Sequence, residues 1–154
     1  LTDNGTDLAS TGYPTVTKTE SAMPYKVLIV EDQPLIAMGL EEAVEELGHF
    51  PMGIAANLED ALALGEEADL AFVDVNLDDG PTGPEIGRQL AERGVAVLFM
   101  TSEPGALEPG VPGTMGVIAK PMFDLEMIQA IQYAVSRLSG EEVAPPERLV
   151  SFPD

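Results

Sequence analysis

The stretch LAFVDVNLDDG, residues 70–80, begins apolar and ends acidic. Leu70, Ala71, Phe72 and Val73 read as a strand, and Asp74 then stands at its end with Asp78 and Asp79 close behind. A carboxylate is rarely buried unless it is paired or binds a metal. The strand therefore poses a question of chemistry as well as of fold, and the flanking sequence bears on both.

Upstream, KVLIVE (26–31) is another continuous aliphatic and β-branched run, the pattern of a strand covered on both faces. A helix follows, with Asp32 as its candidate N-cap and Pro34 in its first turn. Ile36, Leu40, Ala43, Val44 and Leu47 recur at helical spacing, and Gly48 is placed to stop it. Residues 50–55 read as a weak strand, 58–66 as a short helix and 69–75 as the strong third strand. Downstream come a helix over 84–93 ended by Gly94, a fourth strand VAVLFM (95–100) and a fifth over 115–119. A last helix over 123–138 carries Ile128, Ile131, Val135 and Leu138 along one face. Strands alternating with helices predict an α/β fold, a single five-stranded parallel sheet with helices on both faces. One region breaks the rhythm. EPGALEPGVPG (103–113) holds three Pro and three Gly where a fourth helix belongs, so that helix is expected to be short or absent.

Composition narrows the functions. Hydrophobic residues make up 45% of the 154, enough for a packed core. Seven Lys and Arg stand against 27 Asp and Glu, a formal net charge of −20, which repels phosphate backbones and argues against nucleic acid as a direct partner. Aromatic residues, at 5%, are too few for base stacking. With no Cys, a disulfide framework and thiol catalysis are excluded. No apolar run approaches the roughly 18 residues that span a bilayer, and no signal peptide is visible, so a cytoplasmic location and no membrane partner are expected. Residues 1–24 lack any period and are expected to be a flexible tail, with Met23 a candidate natural start; 25–138 form the folded domain, and 139–154, with Pro145, Pro146 and Pro153, a second tail.

Ligands of open parallel sheets bind beyond the carboxyl ends of the strands. The polar residues there are Glu31 and Asp32 after the first strand, Asp74 and then Asn76 after the third, Thr101 and Ser102 after the fourth, and Lys120 after the fifth. Clustered carboxylates repel one another and need a cation. With no His or Cys beside them, their oxygens favour Mg²⁺, or Mn²⁺, over zinc. A metal, a lysine and a hydroxyl around a central carboxylate make a phosphoryl-transfer site, with Asp74 as nucleophile. Taken singly, Asp74 is a turn residue, Glu31 and Asp32 cap a helix and Lys120 is a solvated lysine. Four strand ends in order make those readings improbable together. His49, the only His, reads as a loop or strand-edge residue, Asp78 and Asp79 as solvated loop carboxylates, and Thr82 and Gly83 as the entry to the third helix.

VLIVEDQPLIA, FVDVNL, FMTSEP and IAKP together resemble the receiver domain of bacterial response regulators over residues 26–138. The resemblance implies a flavodoxin-like, doubly wound fold. It implies Asp74 as phosphoacceptor, Thr101 as switch hydroxyl, Lys120 as the phosphate-binding lysine, and Glu31, Asp32, Asp74 and the carbonyl of Asn76 as ligands of Mg²⁺. It further implies that Asn76 and Glu103 influence acyl-phosphate hydrolysis and that the Lys120–Pro121 bond is cis. The implied partner is a sensor histidine kinase or histidine phosphotransfer protein. Val117 departs from the family, which carries Tyr or Phe there. That departure and the eroded fourth helix resemble a stand-alone or general-stress subgroup without the switch aromatic. No output domain is visible, so readout is expected through a downstream protein, and no catalysis beyond the domain's own phosphoryl transfer and autodephosphorylation is expected. Two alternatives compete. A pseudo-receiver would act only through protein contacts. A phosphatase with an Asp nucleophile would need an acid/base Asp two residues on, where Asn76 stands.

Overall fold

The computed structural model describes residues 24–153. The expected tail over 1–24 lies, but for its last residue, outside them. Strands β1 (Lys26–Val30), β2 (Phe50–Ala55), β3 (Leu70–Asp74), β4 (Ala96–Thr101) and β5 (Gly116–Ala119) alternate with helices α1 (Pro34–Glu46), α2 (Leu58–Leu64) and α3 (Gly83–Glu92). Helix α4 (Asp124–Ser139) follows β5, and a short strand β6 (Leu149–Ser151) ends the fold. The sheet order is β2-β1-β3-β4-β5-β6; the first five strands run parallel and β6 pairs antiparallel with β5. The parallel, doubly wound α/β arrangement expected from the alternation is present, with one strand more than the sequence indicated.

Alternation along each strand divides the core. Val27, Ile29, Phe72, Met100 and Ile118 face α1 and α4, where they meet Leu40, Val44 and Ile131. Leu28, Val30, Val73, Val97 and Phe99 face α2 and α3, where they meet Ala61, Ile86 and Leu90. Strand β3 is buried along its whole length, so its final residue, Asp74, is carried into the sheet edge by an apolar anchor. Strand β2 reads weakly in sequence because it is an edge strand, with Phe50 and Ile54 exposed.

The Pro- and Gly-rich segment forms only a 3₁₀ turn at Pro104–Leu107, as its composition demands, and Glu108–Pro109 within it is cis. The expectation of a C-terminal tail is corrected at residues 149–152. Leu149 packs with Ile118 on one face of the sheet, and Phe152 enters the opposite core beside Phe99, with ring centroids 6.5 Å apart. Three prolines suggested a tail, but the side chains of Leu149 and Phe152 dock while Val150 between them stays half exposed.

Candidate functional site

The first turn of α1 opens the site. Asp32 is not the N-cap; Gln33 occupies that position without a side-chain cap, and Pro34 begins the helix. Asp32 is thereby left for the acidic cluster. Oxygens of Glu31, Asp32 and Asp74 all lie within 4.8 Å of one another. Glu31 and Asp74 are buried, and Asp32 is partly exposed.

Lys120, at the end of β5, binds the cluster from the other side. Its Nζ is 3.1 Å from Asp74 Oδ2 and 3.2 Å from Glu31 Oε1, and it donates to Gln33 Oε1 at 3.2 Å. Glu31 Oε2 accepts the Gln33 backbone N–H at 3.1 Å. Glu31 Oε1 is buried and, despite its ion-pair distance to Lys120, receives no hydrogen bond among the described residues. One cation shared among these carboxylates does not neutralise them. Burial, reinforced by Asp74, holds the Glu31 carboxyl well above the usual range, at about 7. Burial and then the nearby charge of Asp78 push Asp32 up as well. The donors are all oxygen and one of them, Glu31 Oε1, is buried without a hydrogen bond among the described residues, a set that fits a hard divalent cation such as Mg²⁺.

The remaining expected residues line the same depression of about 340 Å³, which Asp32, Gln33, Asp74, Asn76, Thr101 and Lys120 border. Thr101 is buried, and its Oγ1 accepts the Glu103 N–H at 3.1 Å. That bond uses a lone pair and leaves the hydroxyl proton for another acceptor. Asn76 is exposed at the mouth. The Lys120 N–H donates to the Thr101 carbonyl at 2.9 Å, which joins the ends of β4 and β5. The Lys120–Pro121 bond is cis.

Three residues in and around the site were not legible as site residues. Gln33 binds Lys120 and Glu31 at once, but nothing in its identity marks it. Gly83 is a supporting residue: a Cβ there would lie 2.1 Å from the Asp74 carbonyl oxygen. Asp79, expected to be solvated, accepts the Leu58 N–H at 3.0 Å and the Thr82 hydroxyl at 2.7 Å. These bonds hold its carboxyl below the usual range and tie the β3–α3 loop to the start of α2. His49 lies ahead of β2, where its Nδ1 accepts the Tyr25 N–H at 3.1 Å, in keeping with a strand-edge residue.

No helix among the described residues is long and apolar enough to cross a membrane. Residues 27–132 match the response regulator receiver domain family. The phyllosphere-induced regulator PhyR of Methylorubrum extorquens is 35% identical over 118 residues, which are 73% of this chain and 44% of PhyR. The chain thus spans under half the length of that relative. The transcriptional regulatory protein PdtaR of Mycobacterium tuberculosis is 33% identical over 145 residues, 86% of this chain and 70% of PdtaR. The solution structure of the receiver domain of Erythrobacter litoralis PhyR superposes with a TM-score of 0.64 at 28% identity, covering 80% of this chain and 95% of that one. With its strand-end motifs in place on the parallel sheet, the chain belongs to the response regulator receiver domain family.

Proposed function

We propose that this chain is a phosphoacceptor in a two-component phosphorelay, and that Asp74 takes a phosphoryl group from the phosphohistidine of a sensor kinase or histidine phosphotransfer protein. The observation that carries the reading is the meeting of Glu31, Asp32 and Asp74 oxygens within 4.8 Å, with Lys120 3.1 Å from Asp74. Lys120 holds one Asp74 oxygen and leaves the other as nucleophile. That oxygen attacks phosphorus, the P–N bond breaks, and the electron pair leaves on the imidazole, giving an acyl phosphate on Asp74. Glu31, Asp32, Asp74 and the Asn76 carbonyl would hold Mg²⁺ or Mn²⁺. The cation, when bound, supplies charge neutralisation at the phosphoryl oxygens. Lys120 follows the new negative charge, and the Thr101 hydroxyl donates its proton to a phosphoryl oxygen. Water later attacks phosphorus and regenerates the carboxylate, so the domain turns over only its own acyl phosphate and is no enzyme toward a separate substrate.

A protein donor is supported by exposed apolar side chains at the starts of the two helices that follow Gln33 and Lys120. Leu35 (84% exposed) and Met38 (57%) open α1, and Phe123 (68%) and Leu125 (65%) open α4. Helix α1 packs on α4, with Gly39 against the Met127 thioether; Gln33, just before α1, accepts from Lys120, and α4 begins four residues after Lys120. Readout then passes to a downstream protein by contact. Exposure to acetyl phosphate, or to beryllium fluoride with Mg²⁺, tests the proposal. Stoichiometric modification or binding that Asp74→Asn abolishes is expected. Binding that survives this substitution would overturn the assignment of Asp74, absence of Mg²⁺ binding by titration would favour a pseudo-receiver, and multiple turnover of a small phosphate ester would assign the site to a phosphatase.

A further inference from the structure

Strand β6 is fastened by residues drawn from distant parts of the chain. Gly116 on β5 admits it: a Cβ there would lie 2.4 Å from the Val150 carbonyl oxygen. Gly110 leaves room for the Phe152 ring, which a Cβ would meet at 3.0 Å. The Tyr133 hydroxyl on α4 is 3.3 Å from Ser151 Oγ. One further fastening reaches the acidic site. Arg148 holds both Glu126 carboxylate oxygens, at 2.7 and 2.9 Å, and also donates to the Pro121 carbonyl. Pro121 directly follows Lys120, whose ammonium holds Asp74 and Glu31. A continuous line of contacts therefore runs from Asp74 through Lys120, Pro121 and Arg148 to β6.

We propose that β6 is a latch on the β5 edge, that occupancy of Asp74 sets its hold, and that Arg148 couples the two. The inference rests on the reading of Asp74 as phosphoacceptor. A phosphoryl group on Asp74 brings nearly two negative charges and strong acceptor oxygens beside Lys120. The ammonium moves toward them, and the adjoining Pro121 carbonyl moves with the Lys120 backbone. Arg148 cannot follow, because Glu126 on α4 holds it in a two-pronged, charge-assisted pair. The Arg148–Pro121 bond is the one that yields. What then holds β6 is a three-residue pairing, the buried Leu149 and Phe152 side chains and the Tyr133–Ser151 contact, a short edge element that opens more readily than the five parallel strands. Its release bares the edge of β5 at Val117, which pairs with Val150. Position 117 is a buried aliphatic side chain with no polar handle, so this backbone-and-arginine route carries a signal that the Val117 side chain does not.

Hydrogen–deuterium exchange on the full chain tests this, with beryllium fluoride and Mg²⁺ as the probe and fluorine NMR to report its binding. Segments 147–152 and 115–119 are expected to exchange roughly tenfold faster with the probe bound, the effect of losing one charge-assisted hydrogen bond. Arg148→Gln is expected to exchange fast already without the probe and to gain nothing from it. Glu126→Gln, which lets Arg148 follow Pro121, is expected to retain resting protection and lose most of the response. A bound probe with unchanged or slower exchange of both segments would overturn the latch and leave the phosphoacceptor reading standing. Failure of the probe to bind, or binding that Asp74→Asn leaves intact, would overturn both.

Discussion

The Lys120 ammonium stands 3.1 Å from the Asp74 carboxylate, so the ends of β5 and β3 meet at one charge pair. The pair is short of cation, because Glu31 claims the same ammonium at 3.2 Å and Asp32 adds a further charge nearby. Asp74→Asn removes one of the competing charges and lets Lys120 serve Glu31. Without divalent cation the variant is therefore expected to be more stable than the parent by about 1 kcal/mol, the scale of one pKa unit of charge interaction. Urea unfolding in EDTA reads the difference. A less stable variant would show that Asp74 contributes more through its bond to Lys120 than it costs by repulsion. With Mg²⁺ present the order is expected to reverse, since only the parent keeps the full ligand set.

Glu31 gives the site its pH dependence. Burial raises its carboxyl from the ordinary value to about 7. A raised carboxyl is protonated in the fold while still ionised in the unfolded chain. Its contribution to stability is thus full below the unfolded value and lost as pH rises through about 7. The cation-free protein is expected to gain stability through this group as pH falls from about 8 to about 6. Affinity for Mg²⁺ moves the other way, because the cation must displace the proton. One proton displaced from a group titrating near 7 weakens binding roughly tenfold over that interval. Calorimetric titration at the two pH values measures it, and Glu31→Gln is expected to flatten the dependence.

The strands were legible because continuous apolar runs of this length have few alternatives, and the strand-end residues because a parallel sheet brings all carboxyl ends to one edge. The same logic did not reach Gln33, which binds through an amide of a kind common at exposed helix starts. Nor did it reach β6. Leu149 and Phe152 are two docked apolar positions after a Pro pair, too few for a period, and Gly116, over which the Val150 carbonyl lies, marks the docking only by lacking a side chain. Asp79 is the exposed loop carboxylate expected, but its two bonds were not legible because their donors, Leu58 and Thr82, lie on either side of it in the fold, one of them 21 residues away in sequence.

Leu35 and Phe123 separate two sources of phosphoryl group. Both are exposed, Leu35 two residues after Gln33 and Phe123 three after Lys120, and neither belongs to the buried core. Leu35→Ser and Phe123→Ser are expected to leave stability within about 0.5 kcal/mol, as surface changes do. Modification by acetyl phosphate, which needs only the acidic cluster and Lys120, is expected to be unchanged. Transfer from a phosphorylated donor protein is expected to slow by roughly tenfold or more, the loss of an apolar anchor at a binding surface. Timed transfer assays with both donors give the comparison. Equal loss with both would place these side chains in the chemistry rather than in partner contact.

Gly83 binds the start of α3 to the last residue of β3. Its N–H donates to the Val75 carbonyl at 3.0 Å, and a Cβ would come within 2.1 Å of the Asp74 carbonyl oxygen and 2.5 Å of the Val75 Cα. These are backbone atoms that no rotamer change moves aside, so Gly83→Ala must displace either α3 or the Asp74 peptide. A stability loss of about 2 kcal/mol is expected from the overpacking. The Asp74 peptide is expected to give, so beryllium fluoride affinity with Mg²⁺ is expected to fall as well. Gly105→Ala is the control, since a Cβ there meets nothing within 4 Å and the residue is exposed. It is expected to change neither quantity. A Gly83→Ala protein that loses stability yet binds the probe with full affinity would mean that α3, and not the Asp74 peptide, had moved aside.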